Sequence, residues 1–444
     1  MRTATQLLLY GNAADQEVRT LAGLAEAAGR AKERGEVHPG PEADKMRVDY
    51  YRCLHTLIET AENLGFEGNL WHCYLTWRIV YDENAYSRAC EIRGSVEGSV
   101  GRSALHDMEI FMDLFAADFE GAENWLGIGD ALFETLTDYE PAKSDKRIFN
   151  RRIRDRICDL AEKLGNARDA AAFKEQVDRF YGDFGAGVLG LHKAFRVEHA
   201  EGSDVRIVPI TNIAHVKLDD LVGYERAKQM LVENTEAFVS GRPANNCLLY
   251  GDAGTGKSSS IKGILNQYYD RGLRMIEIYR HQFRDLNAVI SQIKNRNYRF
   301  IIYMDDLSFE DFETEYKYLK AVIEGGLEKK PDNILIYATS NRRHLIRENY
   351  SDKGEGASHG DMHASDTVQE KLSLAARFGV SIYFGSPDKK EFGHIVEVLA
   401  RRSGIEMDPQ QLLLAADQWE LYHGGRSGRT AQQFIDHLTG TQEE

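Results

Sequence analysis

Proline is scarce, 8 in 444 residues, which excludes long proline-rich linkers. Cysteine is scarce as well. Cys53, Cys73, Cys90, Cys158 and Cys247 are scattered, odd in number and never in C-x-x-C spacing. That pattern predicts reduced, mostly buried thiols of a cytoplasmic protein, not a disulfide frame or a zinc site. No apolar run approaches the roughly 20 residues that a membrane-spanning helix needs, and the apolar stretch near the start, Leu7–Tyr10, is too short for a signal-peptide core. Positive charge is in deficit: 55 basic against 70 acidic residues leave a net charge of -15. A surface that acidic is poor electrostatic bait for nucleic acid or anionic membrane, with a local basic patch left open. What remains is ordinary globular composition, 42% hydrophobic and 10% aromatic, enough for roughly two or three folded domains.

The first part of the chain reads as helical. Met46, Tyr50, Cys53, Leu54, Leu57 and Ile58 recur at spacings of three and four, the signature of one helix face. Further faces run through Trp71, Tyr74, Leu75, Ile79 and Val80, through a helix from Ala104 to Phe119, and through Ile153, Ile157, Leu160 and Leu164. The aromatic residues of this region are expected in its core. Arg151, Arg152, Arg154 and Arg156 make either a phosphate-binding stripe or, with Asp155 and Asp159 interleaved, a solvated helix face.

Near Ala194 the texture changes. Ala194–His199 and Val205–Ile210 predict two short strands around a turn. Apolar runs then alternate with helical stretches, at Cys247–Tyr250, Met275–Tyr279, Phe300–Met304, Ile334–Ala338 and Val380–Phe384. Short apolar runs separated by helices predict a parallel sheet buried on both faces. After it, Pro387 suits a first helical position, and helices are predicted around Phe392–Leu399, Leu412–Leu421 and Thr430–Leu438.

The first of those strands runs into Gly251, Asp252, Ala253, Gly254, Thr255, Gly256, Lys257 and Ser258, with Ser259 following. This is G-x-x-x-x-G-K-[ST] between a strand and a helix. The glycines let backbone N–H groups turn toward phosphate oxygens, the helix adds its positive end, Lys257 reaches the terminal phosphates and the Ser258 hydroxyl ligates Mg²⁺. ATP with Mg²⁺ is the ligand this pattern predicts. The strand Phe300–Met304 ends in Asp305 and Asp306, one carboxylate for the metal shell and one to polarise an attacking water.

From about Val216 to Leu438 the arrangement resembles the AAA+ ATPases. The resemblance implies a five-stranded parallel core with a small helical lid. The segment Asp219–Tyr224, with Gly223 and Tyr224, would pack near adenine, although Tyr224 serves equally well as packing. In Ala338-Thr339-Ser340-Asn341-Arg342, Asn341 would contact the water or γ-phosphate. In Ala376-Arg377-Phe378-Gly379, Arg377 would complete the site of a neighbouring subunit, and in Gly425–Thr430, Arg429 would sense the γ-phosphate. The wording of Ala338–Leu345 and Glu370–Gly379 resembles a bacterial branch carrying domain of unknown function number 815. His359 and His363 stand in a Gly-rich stretch with Asp361 and Asp366, read as a loop before a metal site.

One departure stands out. The family's second acid is usually Glu, whereas this chain has Asp306, with Glu310 nearby. A carboxylate one methylene shorter implies slow hydrolysis, as in a switch. The expected division is a helical N-terminal domain at 1–193 that recruits a protein partner, a short β-hairpin linker at 194–215, the nucleotide-binding core at 216–386 and the lid at 387–444. The expected activity is ATP hydrolysis coupled to movement of that partner, with ATP-dependent homo-oligomerisation and no membrane association. Two other readings stay open, a nucleic-acid-associated loader, which the charge disfavours, and a P-loop kinase.

Overall fold

A computed structural model describes residues 3–36, 39–40, 42–129, 131–142, 149–199, 204–211, 213–309, 315–324, 331–341 and 374–441. The chain divides into two compact units, Met1–Leu191 and His192–Glu444.

The first unit is helical. Its described elements are α1 (Gln16–Arg34), α2 (Ala43–Leu64), α3 (Leu70–Tyr81), α4 (Ala85–Arg93), α5 (Gly98–Phe115), α6 (Phe119–Leu126), α7 (Phe133–Thr137), α8 (Arg151–Gly165), α9 (Ala170–Phe184) and α10 (Gly187–Leu191). Side chains of Asp15, Asn69, Asn84, Asp118, Asn150 and Asp169 accept N–H groups at their helix starts, which satisfies donors that would otherwise be orphaned. The Asp118 cap also corrects the single helix expected from Ala104 to Phe119. The first helix stops at Phe115 and a second begins at Phe119. The predicted apolar faces converge on one core in which Tyr50, Trp71, Phe111, Phe173 and Tyr181 are fully or almost fully buried. Of the Arg cluster, Arg154 pairs with Glu67 at 3.2 Å and Arg156 lies 4.0 Å from the Phe184 ring centroid.

Asp107 on α5 is completely buried. Its carboxylate accepts the backbone N–H groups of Leu8, Leu9 and Tyr10 at 2.8–3.2 Å and so clasps the amino-terminal segment to the helices.

The second unit is a parallel-dominated α/β sandwich. Its strands are β1 (Ala194–His199), β2 (Val205–Pro209), β3 (Cys247–Gly251), β4 (Leu273–Glu277), β5 (Arg299–Met304), β6 (Ile334–Ser340) and β7 (Val380–Phe384). They form one sheet in the order β2-β1-β4-β5-β6-β3-β7. The expected count of five strands is therefore corrected to seven among the described residues. The hairpin β1–β2 is no linker, because β1 adds to the edge of β4 in parallel, with Ala194 opposite Met275 and Phe195 opposite Ile276. Pairing satisfies an edge that would otherwise stay open.

Helices α11 (Glu225–Val239), α12 (Lys257–Tyr268), α13 (Leu286–Ile293) and α14 (Glu315–Glu324) belong to the core. Three helices follow β7: α15 (Lys389–Arg402), α16 (Pro409–Tyr422) and α17 (Gly428–Thr441). They share a small separate core of Phe392, Ile395, Val396, Leu412, Phe434 and Ile435. Pro387 lies outside α15, since Asp388 is the cap whose side chain accepts the Glu391 N–H.

Replacing Asp107 by Ala leaves three backbone donors without their acceptor, and a loss of about 2–4 kcal/mol is expected. The Asn variant, which keeps one accepting oxygen, is expected to lose less. Urea unfolding followed by tryptophan emission checks this, since Trp71, Trp77 and Trp125 all stand in this unit.

Candidate nucleotide-binding site

Sheet topology places the site. β3 lies between β6 and β7, and β5 is the other neighbour of β6. From β3 the order runs past β6 and β5 to β4, and then back through β5 to β6, so the direction of succession reverses beside β3 and the carboxyl ends of β3, β5 and β6 meet at a topological switch point, where α/β sheets hold ligands. A cavity of about 640 Å³ lies there, lined by the loop Ala253–Ser260, Asp305, Asp306, Thr339 and Asn341 from the strand ends, and Arg429 and Gln432 from α17.

The loop between β3 and α12 needs its glycines. Gly251, Gly254 and Gly256 have φ of 136°, 77° and 90°, a region that strains other residues. A Cβ on Gly251 would run into the Phe384 carbonyl, and one on Gly254 would stand 2.8 Å from the Ser427 hydroxyl oxygen. Lys257 is buried, and its ammonium donates to the carbonyls of Gly251 at 2.9 Å and Asp252 at 2.5 Å. Burial lowers its pKa, against the opposing pull of Asp252, Asp306 and Asp305. The Asp252 carboxylate accepts both the N–H and the O–H of Ser386, at 2.7 and 2.9 Å, which hold its pKa below the usual carboxylate range. The loop is thereby tied to the stretch joining β7 to α15.

At the far wall, Ser258 and Thr339 both donate to Asp305 Oδ1, at 2.8 and 2.6 Å. Burial pushes the Asp305 pKa up, but these bonds, Thr339's first, outweigh it and leave the carboxyl below its ordinary value. Asp306 takes a left-handed backbone, φ 49°, which is unusual for a residue with a side chain. Its N–H donates to Thr339 Oγ1 at 2.9 Å, the next N–H, of Leu307, donates to the Thr339 carbonyl at 2.7 Å, and its carboxylate accepts from Asn341 Nδ2 at 2.9 Å. Asp305, Asp306 and Asn341 are thus brought together with the P-loop, as their positions at strand ends imply.

The remaining wall is apolar. Leu221, Val222, Tyr224, Ile395 and Leu399 line it. Leu221 and Tyr224 pack on the sheet core and Val222 on the core of the α15–α17 helices, while Arg402 of α15 donates to the carbonyls of Asp219 and Asp220. The Tyr224 ring lies 5.4 Å from that of Phe384, its hydroxyl is buried, and burial pushes its pKa up to about 12. Gly223 sits beside it with φ 82°. Arg429 lines the cavity, and its backbone N–H donates to the Gly254 carbonyl at 3.1 Å. Arg377 does not line the cavity. Its guanidinium pairs with Glu324. Arg342, Glu310, His359, Asp361, His363 and Asp366 lie outside the described residues.

Residues 190–442, more than half the chain, match the family described as "Protein of unknown function (DUF815)". The chain belongs to that family. The family is the one that the motif wording resembles. A curated relative, the replication factor C large subunit of Staphylothermus marinus, is 35% identical over 69 residues, 15% of this chain and 16% of that protein, so the chain spans about a sixth of its length. Similar solved structures include a RuvB point mutant from Thermotoga maritima, 17% identical over 51% of this chain and 67% of that one, with a TM-score of 0.36. The Thermotoga maritima RuvB Holliday junction branch migration motor is 15% identical over 50% and 72%, with a TM-score of 0.31.

Sequence reasoning quoted Thr339 only as part of a string and missed its place beside Asp305. The signal lay in the register, because Met304 pairs with Ala338, so the next residues on each strand meet. It also missed Ile395, Leu399 and Gln432, whose sequence signal is only helical periodicity.

A Thr339→Val substitution removes one donor to Asp305 and the acceptor of the Asp306 N–H, with an expected cost of about 1–3 kcal/mol. The depressed Asp305 pKa contributes stability above the usual carboxylate range and loses it as pH falls through the depressed value. In the variant the acid-side loss is therefore expected to be shallower. Urea midpoints measured from about pH 3 to pH 7 check it.

Proposed function

We propose that the second unit binds ATP with Mg²⁺, hydrolyses it slowly, and uses the cycle to move or switch a protein partner recruited by the helical unit. The observation that carries this reading is the pair of linked carboxylates at the mouth of the P-loop, Asp305 bonded to Ser258 and Thr339, and Asp306 bonded to Asn341. A hydroxyl and a carboxylate side by side are hard oxygen donors of the kind Mg²⁺ takes, and the cavity of about 640 Å³ over the loop and the start of its helix has room for phosphate oxygens. When bound, Mg²⁺ would offset phosphate charge.

In this reading the amides of Gly254–Ser258 and the Lys257 ammonium hold the phosphates, Lys257 exchanging the loop carbonyls for phosphate oxygens. Ser258 and Asp305 hold the metal. Asp306 accepts a hydrogen bond from the attacking water and orients it, and Asn341 fixes the carboxylate that does so. The Leu221–Val222 side and Ile395–Leu399 close on the base, with Gly223 letting the segment turn. Arg429 reads the γ-phosphate from α17. Arg377 acts on the site of a neighbouring copy, which accords with its place away from its own chain's cavity.

A second reading, an ATPase working beside nucleic acid, takes support from the names of the similar proteins. The net charge of -15 weighs against it. Duplex binding that weakens with salt would favour it, and none at low salt would dismiss it.

Lys257→Ala is expected to lower ATP affinity at least about 100-fold, whereas Asp306→Asn should bind ATP and lose at least about 100-fold in turnover. Fluorescent-nucleotide binding and phosphate release measure the two, and wild-type rates in both variants would overturn the assignment. Arg377→Ala alone should be inactive, yet an equimolar mixture with Asp306→Asn should recover about a quarter of wild-type activity if sites are shared head to tail. Full activity of Arg377→Ala alone would place Arg377 outside the reaction, and no recovery in the mixture would overturn its action on a neighbouring copy.

A further inference from the structure

The helical unit holds a second place where chemistry is concentrated, and the nucleotide site does not involve it. Cys73 on α3 and Cys158 on α8 bring their sulfurs to 3.7 Å. The two thiols differ in exposure. Cys73 is 3% exposed, whereas Cys158 is half-buried. Both line a cleft of about 400 Å³ between α3 and α8, with Asn69, His72, Glu162 and Asn166 around them. The Cys73 thiol is within donor distance of the Cys158 sulfur at 3.7 Å and of the Glu67 carbonyl at 3.9 Å, and Arg154, one turn back on α8 and paired with Glu67, adds positive charge near Cys158. A thiolate on Cys158 is the form these neighbours favour, and its pKa lies below the ordinary thiol value for the same reasons, the Cys73 hydrogen bond first. Other thiols have no such setting. Burial pushes Cys53 up to about 11 and Cys90 up to about 12, and Cys247 is wholly buried.

We propose that Cys158 and Cys73 form a peroxide-reactive dithiol, with Cys158 the attacking sulfur and Cys73 the resolving one. The Cys158 thiolate attacks the outer oxygen of a hydroperoxide that enters the cleft. The O–O bond breaks, the sulfur becomes a sulfenic acid, and the other oxygen leaves as an alcohol or water after taking a proton. The Cys73 sulfur then attacks the Cys158 sulfur, its thiol proton leaves with the sulfenic oxygen as water, and the S–S bond forms. Two thiols are oxidised and one peroxide is reduced by two electrons. The sulfurs must close from 3.7 Å to about 2.05 Å. The product bolts α3 to α8 across the cleft.

The test uses the full chain, reduced and then treated with hydrogen peroxide. Non-reducing peptide mapping should give one Cys73–Cys158 cross-link, with reactive thiols falling from five to three on denaturation, and Cys158 should react at least about tenfold faster than Cys53 or Cys90. In Cys73→Ser, Cys158 should accumulate as a sulfenic acid trapped by dimedone. In Cys158→Ser, Cys73 should stay reduced. Peroxide that consumes Cys158 without a cross-link overturns the resolving role. Oxidation of Cys158 no faster than of the buried thiols overturns the proposal altogether. Circular dichroism establishes that the variants are folded, and the wild-type map decides the question even if one is not.

Discussion

One hydroxyl organises the candidate site. Thr339 Oγ1 has one hydrogen to give and lone pairs to accept with. It gives the hydrogen to Asp305 and accepts from the backbone of Asp306. Those two bonds decide which carboxylate faces Ser258 and force the chain to reverse after Asp305. The left-handed Asp306 follows from that reversal, since its own N–H and that of Leu307 are both claimed by Thr339. Strand register makes the arrangement obligatory, because β5 and β6 pair through Met304 and Ala338 and so deliver the next residues side by side.

This bears on the short second acid. Asp306 is one methylene shorter than a glutamate, but its backbone is left-handed and its carboxylate is held by Asn341. A short side chain on a turned backbone and a long one on an extended backbone deliver a carboxylate to different places. The same bond removes rotamer freedom that an unpaired Asp would have.

The P-loop and its acidic partner were legible in the sequence because each is a contiguous string whose meaning is local. The helical faces of α2, α3 and α8 were legible for the same reason, since periodicity needs only near neighbours. What escaped depended on distant partners. Pairing of β1 with β4 joins residues some eighty positions apart, so Ala194–His199 read as half of a free hairpin. The stop at Phe115 turns on a cap by Asp118, a residue equally at home inside a loop. Thr339 looked like any strand residue until the register placed it beside Asp305. Ile395 and Leu399 read as a packing face, and they pack and line the cavity at once.

The contact between α17 and the P-loop has a consequence of a different kind. In a trans peptide the carbonyl and the following N–H point in opposite directions. The Gly254 carbonyl is held by the Arg429 N–H, so the plane of the Gly254–Thr255 peptide is set, and with it the aim of the Thr255 amide away from α17. The three carboxyl-terminal helices are therefore coupled to the aim of one loop donor: a displacement of α17 that kept this bond would turn the Gly254–Thr255 peptide plane and, with it, the Thr255 N–H.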